Sequence, residues 1–225
     1  MTKLSLASVT LEDLAPLVRL ESREPPTDLW DVTTDAIEPS LQEHLRYLTN
    51  KLRVARPTTL NEATVWSRAI YPLLELAETD RVRAWAEVLL GTRDPFSGTE
   101  IAGVIDGVLA PEGLLAGAPD LPFLLVVEAK RGMEALDPRP QLIAALVAVL
   151  WAELGRRGGE HAETFGCFTV GDIWTFAHAT ATALPVGSSP RLAVSLAWSR
   201  EYAERSEAET IFRLLCRVVR KGDAR

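Results

Sequence analysis

Three charged residues stand where the chain's strands should be apolar. Strand alternation over residues 99–110 puts Ala102, Val104, Asp106, Val108 and Ala110 on one face, with Asp106 its only charge. Over residues 123–130 one face carries Leu124, Val126, Glu128 and Lys130, and the other Phe123, Leu125, Val127 and Ala129. Apolar residues on both faces mark a central strand covered from both sides. A lone buried carboxylate costs several kcal/mol unless it is paired or bound to metal.

Two readings of these charges stay open. Glu128 and Lys130, at i and i+2, can close a strand-end salt bridge, which leaves Asp106 unexplained. Alternatively, two carboxylates converge at about 2 Å on a hard divalent cation, Mg²⁺ or Mn²⁺, completed by water and a substrate phosphate. A lysine beside that ion orients or helps deprotonate the attacking water and stabilises charge at phosphorus. This is the chemistry of metal-assisted phosphodiester hydrolysis. Lys130 is one of four lysines in a chain with 24 basic residues, so its type is an uncommon choice here.

The elements that would hold these residues follow from periodicity. A short helix is expected over 11–20, and Pro25-Pro26 marks a connector. Leu41, Leu45, Leu48 and Leu52 line one face of a helix that starts at Pro39 and ends by Pro57. A second helix runs from near Thr59 to about Glu78, with Trp66, Ala69, Ile70, Leu73 and Leu74 as its stripe and a kink at Pro72. A strand over 81–90 shows Val82, Ala84, Ala86 and Val88 on one face. Residues 111–119 form a hairpin loop or excursion between the two charged strands. A helix over 140–154 ends at Gly155. Strands over 164–170 and 173–180 flank a Gly171-Asp172 turn, a strand covers 191–198, and a final amphipathic helix covers 200–219. The fold class is α/β, a mixed central sheet flanked by helices.

Length and composition agree with one large domain or a domain with an appendage: 225 residues, 47 % hydrophobic and 24 % charged. A net charge of −7 argues against a broadly basic nucleic-acid coat, though not against a protein that meets phosphates at one local site. Cys167 and Cys216 are isolated, which excludes a structural zinc module and points to a reducing interior. No signal peptide is expected at the N-terminus, and the longest apolar run, 142–152, is about half a bilayer span. A cytoplasmic location with no membrane partner is expected.

The order Glu62 … Gly-Val-Ile-Asp106-Gly … Val-Val-Glu128-Ala-Lys130 … Gln141 resembles the PD-(D/E)XK nuclease superfamily, over roughly residues 58–180. The resemblance implies a restriction-endonuclease-like core over 57–225, preceded by an N-terminal helical extension, 1–56, with no role assigned. It implies that Asp106, Glu128 and Lys130 form the metal-binding catalytic centre, with the Ala129 carbonyl a further ligand. Glu62 on the first core helix and Gln141 on the helix after the Glu-x-Lys strand would complete the set. Ile105 departs from the family's usual proline. The implied activity is cleavage of DNA with Mg²⁺ or Mn²⁺, and a second copy of the chain or another protein subunit is a further partner. Two alternatives stay open: a catalytically silent restriction-endonuclease-like module serving as a subunit, and, more distantly, a phosphohydrolase of small substrates.

Neighbouring residues carry competing readings. Glu62 lies on the inward face with Trp66, Ala69 and Leu73, whereas Glu75 faces solvent; Glu62 also completes a Thr59-x-x-Glu62 capping box. Gln141 is equally an ordinary first-turn residue. His44 and His161 are scattered, His178 is expected to be structural, and Asp94 and Asp120 are turn residues. Arg131, Arg139, Arg156 and Arg157 flank the centre and could contact phosphates. In the last helix Ile211, Leu214, Leu215 and Val218 are expected to pack in the core, with a dimer surface as the minority option.

Overall fold

A strand with two neighbours on one edge organises the fold. The computed structural model describes residues 2–55, 60–113, 117–130, 137–158 and 160–223. Strand β4 (Glu100–Pro111) pairs antiparallel with β3 (Val82–Arg93) along its whole length. A strand has two edges, so β1 (Lys3–Ser5) and β5 (Leu125–Lys130) must share the other. β1 runs parallel beside residues 100–102, and β5 antiparallel beside 107–109. Residues 103–106 face neither. From β5 the sheet continues through β6 (His161–Val170), parallel to it, then through antiparallel β7 (Ile173–Ala183) and β8 (Leu192–Ala203). β2 (Arg19–Ser22), parallel to β8, completes a mixed sheet of eight strands.

The helices divide between the two faces. One core gathers α2 (Pro39–Ala55), α4 (Tyr71–Leu76) and α6 (Glu204–Asp223). The expected leucine face of α2 is buried at Leu45, Leu48 and Leu52, and in α6 Ile211, Leu214, Leu215 and Val218 are buried as expected. The other core is built on α5 (Arg139–Arg157), whose residues 142–151 are all buried. A helix apolar all round must be enclosed. α5 packs on β3, on β6 and on a 3₁₀ turn, Leu6–Ser8, so the sheet curls round it. The architecture is thus α/β with a mixed, curled sheet and helices. Among the described residues no helix is long and apolar enough to cross a membrane.

Several boundaries differ from expectation for local reasons. The helix expected over 11–20 is only α1 (Leu11–Leu14), started by a Thr10–Asp13 capping box and followed by β2. Residues 1–56 supply α1 and α2 and also both short strands β1 and β2, which edge the sheet. α5 runs through Gly155 and ends at Gly158, whose φ of 60° takes the left-handed cap that glycine allows. The second helix is α3 (Glu62–Val65), a π turn (Trp66–Ile70) and α4, with the Tyr71 N–H donating to the Trp66 carbonyl. Pro72 has no N–H and crowds the carbonyl four residues earlier, and the wider turn relieves both. The Pro57 stop and the Thr59 start lie outside the described residues.

Strand alternation reverses at one place, and the reversal aims Asp106. In β4, Ile101 and Ile105 enter the α5 core, and so do Val108 and Ala110. In β3, Val82 and Ala84 enter the α2/α6 core but Val88 and Leu90 the other. The two reversals face each other: Ala86 pairs with Gly107, Val88 pairs with Ile105, and Glu87 between them has φ 52°. A left-handed residue inside a strand turns the faces over. The expected common face of Asp106, Val108 and Ala110 is therefore corrected, because Val108 and Ala110 point away from Asp106. The expected common face of Val82 and Val88 is corrected for the same reason.

Candidate active site

Asp106 sits at the fork where β5 leaves β4. The last paired residues are Gly107 and Val127, and beyond them the Asp106 carboxylate accepts the Ala129 N–H at 2.7 Å. A strand residue's N–H and C=O point to the same neighbour. The Ala129 carbonyl is thereby turned toward this fork, while the Lys130 carbonyl accepts the Gly171 N–H on the far side.

Glu128 and Lys130 do pair, at 2.5 Å from Oε1 to Nζ, so the salt-bridge reading is geometrically correct. The pair does not cancel the charge excess. Burial, then the Asp106 charge, raise the Glu128 carboxyl to about 7, against the opposing pull of Lys130. Burial also raises Asp106, opposed by the Ala129 N–H and Lys130 and aided by Glu62 and Glu87. Burial alone would lower Lys130, but its bond to Glu128 and the fields of Glu128, Asp106 and Glu62 hold it above the ordinary lysine value.

On the opposite face of β5 a cavity of about 360 Å³ opens beside Asp106. Glu62, Trp66, Glu87, Asp106 and Ala129 line it. Asn61 caps α3, its side chain accepting the Thr64 N–H; Glu62 is the first residue of the helix and is exposed, and Thr59 of the expected capping box lies outside the described residues. Glu75 is exposed too, as expected. A Cβ on residue 107 would overlap the Trp66 ring, so the glycine after Asp106 is what seats Trp66 there. Sequence reasoning placed Trp66 only in an apolar stripe and missed Glu87. Its signal was available, a lone carboxylate inside the apolar run 82–90.

Gln141 is half-buried in the first turn of α5. Its neighbour Leu142 packs on Gly166, which pairs with Val126, so this turn lies over the face of β5 that carries Glu128. Asp106, Glu128 and Lys130 are therefore brought together with Gln141 on one side and Glu62 on the other. The arginines expected to flank the centre are otherwise engaged: Arg139 binds Asp137 and Arg156 binds Glu153. Arg131 and the side chain of Arg157 lie outside the described residues. His178 is structural as expected, buried within β7 between Arg23 and Glu163, and Asp94 and Asp120 accept turn N–H groups.

The donor set at the fork fits a hard divalent cation. Asp106 commits Oδ2 to Ala129 and Glu128 commits Oε1 to Lys130; Asp106 Oδ1 and Glu128 Oε2 have no partner among the described residues. With the Ala129 carbonyl these are oxygen donors of the kind a hard cation takes, and the charges of Glu128, Asp106 and Glu62 all act on Lys130. Among the described residues no three acidic, histidine or cysteine side chains come close enough together to hold a metal ion. No family model matches the chain, and no curated protein matches it.

Proposed function

We propose that the chain is a divalent-metal-dependent nuclease that hydrolyses phosphodiester bonds of DNA, with a restriction-endonuclease-like core. The observation that carries this reading is the fork itself: two carboxylates with raised proton affinity, each with one uncommitted oxygen, beside a lysine. Asp106, Glu128 and the Ala129 carbonyl would hold Mg²⁺ or Mn²⁺, which when bound supplies charge for the scissile phosphate and acidifies water. Lys130 positions the attacking water and faces the charge that grows on phosphorus. Glu62 and Glu87 line the cavity on the substrate side, and Gln141 is placed to orient Lys130 or the substrate. Water adds to phosphorus and the P–O bond to the leaving oxygen breaks, leaving one phosphate end and one hydroxyl end.

The closed Glu128–Lys130 pair favours one other reading, a catalytically silent module of the same fold. Incubating plasmid, linear and branched DNA with Mg²⁺, Mn²⁺ or EDTA separates the two. Metal-dependent cutting by the parent and none by Asp106→Asn supports the nuclease. Absence of cutting on every substrate, or equal cutting by the variant, supports the silent module.

A further inference from the structure

We infer that the groove between α2 and α6 is the track that holds the nucleic-acid backbone leading to the β4–β5 fork. The inference rests on the nuclease reading and deepens it by naming how the substrate is gripped. The groove encloses about 490 Å³ and is lined by Arg46 and Arg53 of α2 and by Arg205 and Arg213 of α6. In a chain of net −7 this is a local excess of positive charge. The two acidic residues in its wall are already engaged: Glu207 by Arg200 and the Ala203 N–H, and Glu209 by Arg213.

The four guanidinium groups fall into two kinds. Arg205 is fixed on the buried carboxylate of Asp172, and Arg213 on Glu209 and the Asp35 carbonyl. Arg46 and Arg53 are exposed and have no carboxylate partner among the described residues. They lie seven residues apart on α2, a rise of about 10 Å, which matches about three nucleotide steps along one strand. Asn50 and Thr210 contribute to its wall, and among the described residues no aromatic ring lines it to stack a base. That composition suits phosphate oxygens, which position a strand without reading its sequence.

The groove is joined to the fork through a short chain of contacts. The Lys130 carbonyl accepts the Gly171 N–H, and Asp172, next in the β6–β7 turn, holds Arg205. A strand lying along α2 and α6 thus reaches the same end of the sheet as Lys130. This gives α2, in the N-terminal stretch with no assigned role, half of the binding surface.

Anisotropy of a labelled 30-base-pair duplex and of a single strand, titrated with Asp106→Asn protein in Ca²⁺ at rising salt, tests the track. The double variant Arg46→Gln/Arg53→Gln in that background should bind at least tenfold more weakly, and its salt slope should fall by about two. Circular dichroism confirms folding, and Arg139→Gln/Arg156→Gln serves as control with unchanged affinity. Equal affinity and slope in the groove variant, or equal loss in the control, overturns the track while leaving cleavage by the parent intact. Equally effective competition by poly-glutamate assigns the groove to an acidic protein and overturns it too. A parent that neither binds nor cuts nucleic acid overturns the nuclease reading and the track together.

Discussion

The Asp106 carboxylate accepts the Ala129 N–H at 2.7 Å, replacing a ladder bond that β4 no longer provides beyond Gly107. One side chain therefore takes over where a strand pairing ends and, in the proposed site, would also supply a metal-ligand oxygen. The two roles separate by substitution. Asp106→Asn keeps an oxygen acceptor for the amide but removes the charge, whereas Asp106→Ala leaves a buried N–H without a partner, at a cost of about 1–3 kcal/mol. Thermal unfolding should show Asn close to the parent and Ala lower. Cleavage should fall at least about a hundredfold in both. A strongly destabilised Asn variant would show that the charge, not the bond, holds the fork.

Glu128 makes stability depend on pH in a defined direction. Its carboxyl is raised from 4.5 to about 7, so the folded state holds a proton that the unfolded chain releases above pH 4.5. Stability must then fall as pH rises through about 4.5 to 7, by roughly 3 kcal/mol for this group. Raised Asp106 and Glu204 act in the same direction. Denaturant titrations at pH 5 and 8 should show this loss in the parent and a smaller one in Glu128→Gln. An identical pH dependence in the two proteins would place the effect elsewhere.

Metal affinity should run the opposite way. In the proposed site Mn²⁺ would need both carboxylates ionised, so its apparent affinity should rise from pH 5.5 to 8 as Glu128 loses its proton. Calorimetric titration of the parent reads this directly, and Mn²⁺ should also raise the melting temperature more at pH 8 than at pH 5.5. Glu128→Gln should lose much of the pH dependence, leaving the part due to the raised Asp106, together with most of the affinity. Binding that is unchanged by that substitution would remove Glu128 from the ligand set.

Much of the candidate site was legible because charge is conspicuous in apolar strands. Asp106, Glu128 and Lys130 stood out by that contrast, and the leucine face of α2 and the Gly171-Asp172 turn followed from spacing alone. What was not legible depends on tertiary partners. β1 and β2, Lys-Leu-Ser and Arg-Leu-Glu-Ser, are too short and polar to show alternation, and they form because β4 and β8 offer open edges. The reversal at Glu87 has no local signature, since a non-glycine residue with positive φ is held by its surroundings. The π turn likewise answers to Pro72 only within the packed helix, so Trp66 read as core when it also walls the cavity.

Gly107 gives a test of that wall which leaves every charged group in place. A Cβ at 107 would overlap the Trp66 ring and press on the Trp85 carbonyl at 3.1 Å. Neither neighbour yields easily: the ring is seated from the π turn, and the carbonyl belongs to β3. Gly107→Ala should therefore push Trp66 outward, costing about 1–3 kcal/mol of stability as overpacking does. If the cavity seats the substrate beside Asp106, KM should rise more than kcat falls, because the metal ligands keep their positions. The double variant Gly107→Ala/Trp66→Leu, with a smaller side chain facing the new methyl, should recover stability but not KM. Recovery of both would make Trp66 a packing residue only, and the substrate-side wall would then rest on Glu62 and Glu87.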